Sequence, residues 1–121
     1  MTDVSTLAKG DGSGVTDARR VAIRDEPAWR ALWAEHAGAA AAPPRVDFST
    51  QMVAAVFAGD RPTPGYSVEI VDARRQGDTL GIVVTESPPA PGLLAAQIIV
   101  TPFHIVALPR FDGAVSFVQA V

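Results

Sequence analysis

The sequence predicts an α+β fold that is mainly β: a curved, mostly antiparallel sheet of six to seven strands, a partial barrel or sandwich-like, with one helix packed on it. Three observations carry this. Only one stretch places apolar residues at helical spacing. The remainder breaks into short apolar or alternating runs. Glycine- and proline-rich turns separate those runs closely, and consecutive strands joined by short turns favour antiparallel pairing. With 121 residues, 48% of them apolar, the chain suits one domain with one core.

Residues 1–12 are polar and glycine-rich, and are expected to be a flexible N-terminal segment ahead of a domain over 13–121. A strand is expected near 18–24, where Val21 and Ile23 share a face. EPAWRALWAEHAG (26–38) is the helix: Asp25 caps it, Pro27 fits the first turn and Gly38 ends it. Trp29, Leu32, Trp33 and His36 fall on one helical face, with the two tryptophans read as the structural residues that seat it. Pro43 and Pro44 forbid continuation. QMVAAVFAG (51–59) is apolar on both faces, which predicts a central strand ended by Gly59. YSVEIVDARR (66–75) and TLGIVVTES (79–87) alternate, and pair as a hairpin around Gln76–Gly77–Asp78. PPAPG (88–92) breaks the chain. In LLAAQIIVTPFHIVALPR (93–110), Pro102 divides two strands, about 95–101 and 103–108, or bends one edge strand. FDG (111–113) turns into a last strand at 114–121. A sheet apolar on both sides needs two covers: the helix on one face and its own curling on the other.

Composition excludes several functions. The net charge is −3, and the ten basic residues, nine of them arginine, are scattered, which argues against nucleic-acid binding. There is no cysteine for a disulfide, a thiolate or a zinc site. No apolar run is long enough for a membrane span. The first residues, MTDVSTLAKGDGSG, carry an early acid and no apolar core, and do not read as a signal peptide. His36 and His104, the two histidines, lack a recurring carboxylate spacing, so no metal is expected. No serine sits in a G-x-S-x-G context. Glu69 and Glu86 are acids on strands, which a polar sheet face explains. No catalytic residue, no cofactor and no enzymatic activity are expected.

GDRPTPGYSVEI (59–70) is the densest local pattern. It does not suit a phosphate loop, because Pro62 and Pro64 remove amide donors and a strand, not a helix, follows. Pro62 stiffens an extended entry, and Gly65 permits a turn before Tyr66. Arg61 and Thr63 are placed to tie the loop through hydrogen bonds to carbonyls. The loop is either a corner that closes the fold or a binding tip formed by Arg61, Thr63, Tyr66, Phe103 and His104. Pro102 is read as structural.

Several of these stretches together resemble the PrcB C-terminal domain, a protease-complex-subunit family. They are Trp29-x-x-x-Trp33, VDFSTQMVAAVFAG (46–59), G-x-R-P-T-x-G-Y (59–66), TESPPAPG (85–92) and P-F-H-I-V-x-L-P (102–109), spread over about residues 13–119. Pro64 stands where many members carry Gly, and Phe103 where Tyr is common. The resemblance implies a non-catalytic domain that binds a protein partner, a secreted or surface protease among the candidates. It also implies a cell-envelope or secreted location, with a cytoplasmic one left open by the N-terminus. The alternative is a small-ligand or envelope-associated domain, with a pocket between helix and sheet lined by Trp29, Trp33 and Tyr66. Partner, compartment and oligomeric state are not legible in the residues.

Overall fold

The computed structural model describes residues 4–89 and 98–120. In chain order its elements are β1 (Ser5–Gly10), β2 (Ala18–Ile23), α1 (Glu26–Ala37), β3 (Gln51–Ala58), β4 (Ser67–Gln76), β5 (Thr79–Ser87), β6 (Phe103–Pro109) and β7 (Ala114–Gln119). The strands form two sheets, of order β1-β6-β3-β2 and β4-β5-β7. All pairings are antiparallel except β5 with β7, which is parallel. The fold is thus mainly β with one helix, as expected, and neither sheet closes into a barrel.

The alternation within β3 and β6 decides the layering. Val53, Ala55 and Phe57 of β3, with Phe103 and Ile105 of β6, join Trp29 and Leu32 of α1 in one buried cluster. Met52, Ala54, Val56 and Ala58, with Val106 and Leu108, join Val68 and Ile70 of β4 and Leu80, Ile82 and Val84 of β5 in another. The four-stranded sheet is therefore the middle layer, between α1 and the three-stranded sheet. That is why β3 reads as apolar throughout, whereas β4 and β5, covered on one face, alternate. The second cover is a separate sheet, not the curling of a single one.

The helix forms where its end signals place it. The Asp25 carboxylate accepts from the Ala28 amide at 2.9 Å, Pro27 lies in the first turn, and the Gly38 N–H donates to Ala34 O at 2.9 Å. Arg19 of β2 docks the helix from outside, donating to both Glu35 carboxylate oxygens at 2.7 and 2.8 Å while also holding Asp17. The two tryptophans are not equivalent. Trp29 is fully buried and its Nε1–H donates to Pro44 O at 2.9 Å. Trp33 is half-buried, and its buried Nε1–H has no partner among the described residues. An unpaired buried donor offsets part of what the ring contributes. Trp33→Phe is therefore expected to shift the unfolding free energy by less than about 1 kcal/mol. A urea midpoint reporting a loss above about 2 kcal/mol would contradict the account of that indole.

Four expectations are corrected in whole or in part. The segment 1–12, read as flexible, contains β1, which pairs with β6 from Ser5↔Ala107 to Gly10↔Phe103. Its largely polar composition suits an edge strand; pairing holds it, together with Leu7 and Ala8, which are partly buried against the cluster under α1. The strand expected at about 103–108 is β6, but it is not the bent edge strand of the alternative reading: β1 and β3 flank it on either side. Pro102 sits just before it, where the missing N–H costs no ladder bond, and the Pro102 carbonyl accepts from the Ala58 amide at 2.9 Å. The strand expected at 95–101 falls largely outside the described residues; of its described part, Val100 and Thr101 form only isolated bridges, to Arg61 and Gly12. Finally, β4 begins at Ser67, so Tyr66 precedes the strand.

Gly59 ends β3 as expected, for two reasons. Its φ of 79° lies in the left-handed region, and a Cβ there would stand 2.9 Å from Ala18 N.

Candidate functional site

The chain from Arg61 to Tyr66 leaves β3 and enters β4, so it sits at one end of the layered sheets. Its backbone is pinned: Arg61 N donates to Val100 O and Val100 N to Arg61 O, both at 2.8 Å. Gly65 takes a φ of 103° and turns the chain tightly against the next loop, where a Cβ would lie 3.0 Å from Pro89 Cβ. The ends of β3, β4 and β5 and these two loops enclose an open groove of about 370 Å³. Ala58, Pro62, Tyr66 and Pro88 supply its apolar walls; Arg61, Ser67, Glu86 and Ser87 supply polar groups.

The electrostatics centre on Arg61. Its guanidinium carbon lies 5.7 Å from the centroid of the Tyr66 ring, within cation–π reach. Its Nη2 is 3.8 Å from Glu86 Oε2, and Arg20 Nη2 approaches Glu86 Oε1 at 4.0 Å from β2. Arg20 is itself engaged, donating to Gln119 Oε1 at 2.8 Å. Arg61, Arg20 and Glu86 are all partly exposed. The expected hydrogen bonds from the Arg61 and Thr63 side chains to carbonyls do not form among the described residues; the backbone of Arg61 does that work. Ile98 and Ile99, on the segment whose Val100 pairs with Arg61, are 57% and 68% exposed.

The structure brings Arg61 and Tyr66 together and places Thr63, half-buried, on the loop between them. It takes Phe103 and His104 away from any contact surface. Phe103 packs against the His36 ring, with centroids 4.4 Å apart, in the cluster under α1. His104, 3% exposed, points the other way, into the space between the sheets. The Ile70 amide donates to its Nδ1 at 2.9 Å, so that nitrogen carries no proton, and its Nε2–H donates to Thr6 Oγ1 at 2.8 Å. Burial, with a smaller contribution from Lys9, holds its pKa below the ordinary histidine value, and Glu69 opposes this weakly. His104 is a clamp joining β1, β6 and β4. Alternation along β6 shows that it opposes Phe103, but not that a second sheet lies above it.

The pocket expected between helix and sheet is filled by Trp29, Leu32, Phe57 and Phe103, and Tyr66 lies elsewhere, beside Arg61. Sequence reading missed Arg20, Ser67 and Ser87, and treated Glu86 only as an acid on a polar sheet face. Their convergence depends on β2 and β5 meeting at one end, which no local pattern announces.

The PrcB C-terminal family model matches residues 42–109, more than half of the chain. The chain belongs to the PrcB C-terminal family. The match runs from the connector after α1 through β6, so it contains the whole 59–66 loop and the groove residues Ser67, Glu86 and Ser87. It is narrower than the resemblance over 13–119, and leaves Trp29 and Trp33 outside. No curated protein and no solved structure matches the chain. Among the described residues, no helix is long and apolar enough to cross a membrane.

Proposed function

We propose that this PrcB C-terminal domain is a non-catalytic protein-interaction module that engages a protein partner, a secreted or surface protease, through the groove at Arg61 and Tyr66. The observation that carries the reading is the partly exposed Arg61–Tyr66 pair on a loop whose backbone is pinned to Val100 by two hydrogen bonds at Arg61. Arginine and tyrosine are enriched among the residues that dominate binding energy at interfaces, and a rigid loop loses little entropy on contact. The family's character as a protease-complex subunit supports a protein rather than a metabolite as the partner. The two histidines, the side chains best suited to proton transfer near neutral pH, are buried away from the groove and hydrogen-bonded there, His104 to Ile70 N and Thr6 Oγ1 and His36 to Ser13 Oγ.

Recovery from the native host, with the wild-type chain and with Arg61→Ala plus Tyr66→Ala, tests this. The double variant is expected to keep its urea midpoint within about 1 kcal/mol of wild type, because both side chains are partly exposed. It is expected to lose one co-purified protein identifiable by mass spectrometry as a protease. Arg30→Ala, on the exposed side of α1, is expected to lose nothing. Equal recovery of every partner by all three proteins would reject the groove as the contact.

A further inference from the structure

We propose that the groove takes an acidic side chain, Asp or Glu, from an extended partner segment, held by the Arg61 guanidinium against the Tyr66 ring. This rests on the reading of the groove as a partner contact and adds the chemistry of the ligand.

Unspent capacity is the first argument. Among the described residues the Arg61 guanidinium makes no hydrogen bond. Its one nearby carboxylate, on Glu86, stands at 3.8 Å, beyond hydrogen-bond length. A partly exposed pair at that distance contributes little and is readily displaced. Charge is the second. The groove lining carries one cation, Arg61, and one anion, Glu86, and the Glu86 carboxylate is shared with Arg20, which approaches it at 4.0 Å from β2. Asp60, next along the chain, does not line the groove. The third is shape. Glu86 already shows that a carboxylate on a flexible side chain fits between the guanidiniums, which favours an acidic side chain over a chain terminus. The surroundings suit an extended peptide. The Ser67 and Ser87 hydroxyls have no hydrogen-bond partner among the described residues, and Pro62, Pro88, Ile98 and Ile99 offer apolar contact to flanking residues.

Three peptides test this by NMR titration of the intact chain: acetyl-Val-Glu-Leu-amide, acetyl-Val-Gln-Leu-amide and acetyl-Val-Gln-Leu with a free carboxylate. The first is expected to give saturable shifts of the Arg61 Nε–H and the Tyr66 ring, weakened by salt. The other two are expected to bind at least roughly tenfold more weakly. Arg61→Gln should abolish the shifts and Arg61→Lys should reduce affinity, since lysine lacks the planar fork. Glu86→Gln should tighten binding, because the internal competitor is gone. Equal binding of the Glu and Gln amides, preference for the free carboxylate, or weakening by Glu86→Gln would each overturn the proposal. If the partner recovered from the host still depends on Arg61 and Tyr66 while no peptide binds, the acidic ligand is wrong and the contact stands. If the Glu peptide binds and host recovery is unchanged by the double variant, the ligand chemistry stands and the partner contact is wrong.

Discussion

Trp29→Ala is expected to remove about 3–5 kcal/mol of folding free energy. The side chain is fully buried in the layer between α1 and the four-stranded sheet, beside the Trp33 ring at a centroid distance of 5.4 Å. Truncation opens a cavity whose walls are β-sheet on one side and cannot collapse freely. It also strips Pro44 O of the Nε1–H bond that fastens the connector after α1. A domain of this size has about 5–15 kcal/mol to lose, so the variant should unfold at a markedly lower urea concentration. Trp33 remains as the fluorescent reporter. A loss below about 1.5 kcal/mol would show that the helix is not anchored by this ring, and that Arg19 and the rest of the apolar stripe hold it.

Removing the His104 clamp is the second large effect. His104→Ala leaves the Ile70 amide without its acceptor and opens a void between the sheets, for a loss of about 2–4 kcal/mol. The same clamp sets a pH dependence. Burial lowers the pKa of His104, and of His36, which is enclosed by Trp33, Phe57 and Phe103. In the unfolded chain both titrate near their ordinary value of about 6.5. Above that pH neither state binds the proton and their contribution is complete. As pH falls below it, the unfolded state takes up protons that the folded state resists, so stability declines until the folded pKa values are passed. For His104 the cause is also geometric, since a protonated Nδ1 cannot accept from Ile70.

Wild-type Tm is accordingly expected to be level above about pH 7 and to fall between pH 6.5 and 5. His104→Gln should flatten that fall in part, with His36 supplying the remainder. The charges facing the ring, Lys9 of β1 and Glu69 of β4, form an ion pair at 3.2 Å. The lowered carboxylates, Asp17 and Glu35 beside Arg19, Asp72 beside Arg74, and Asp47 beside Ser49, act in a separate window: their contribution is present above about pH 4 and disappears below it. A Tm unchanged from pH 7.5 to 5 would be incompatible with the clamp as described.

How much of this was legible varied with the range of the interaction. The boundaries of α1 came from Asp25, Pro27 and Gly38, each acting within one turn of itself. The β4–β5 hairpin came from alternation and a short turn, again local. The equal status given to Trp29 and Trp33 failed because helical spacing puts both on one stripe, and only the sheet opposite decides which is enclosed. β1 was missed because an edge strand needs little apolar content when its partner supplies the hydrogen bonds. Phe103 and His104 were grouped with Arg61 and Tyr66 through shared conspicuousness in sequence, although the strand that carries them runs through the middle of the core.

By itself, then, the chain's order of residues settled α1, the β4–β5 hairpin, the mainly β class and the proline-constrained loop at 59–66, because capping, alternation and proline constraints act over a few residues. The split into two sheets, the burial of His104 and the convergence of Arg61 and Arg20 on Glu86 were decided only in three dimensions. Those contacts join segments far apart in the chain, and their existence depends on which faces pack together, a choice that no short window of sequence contains.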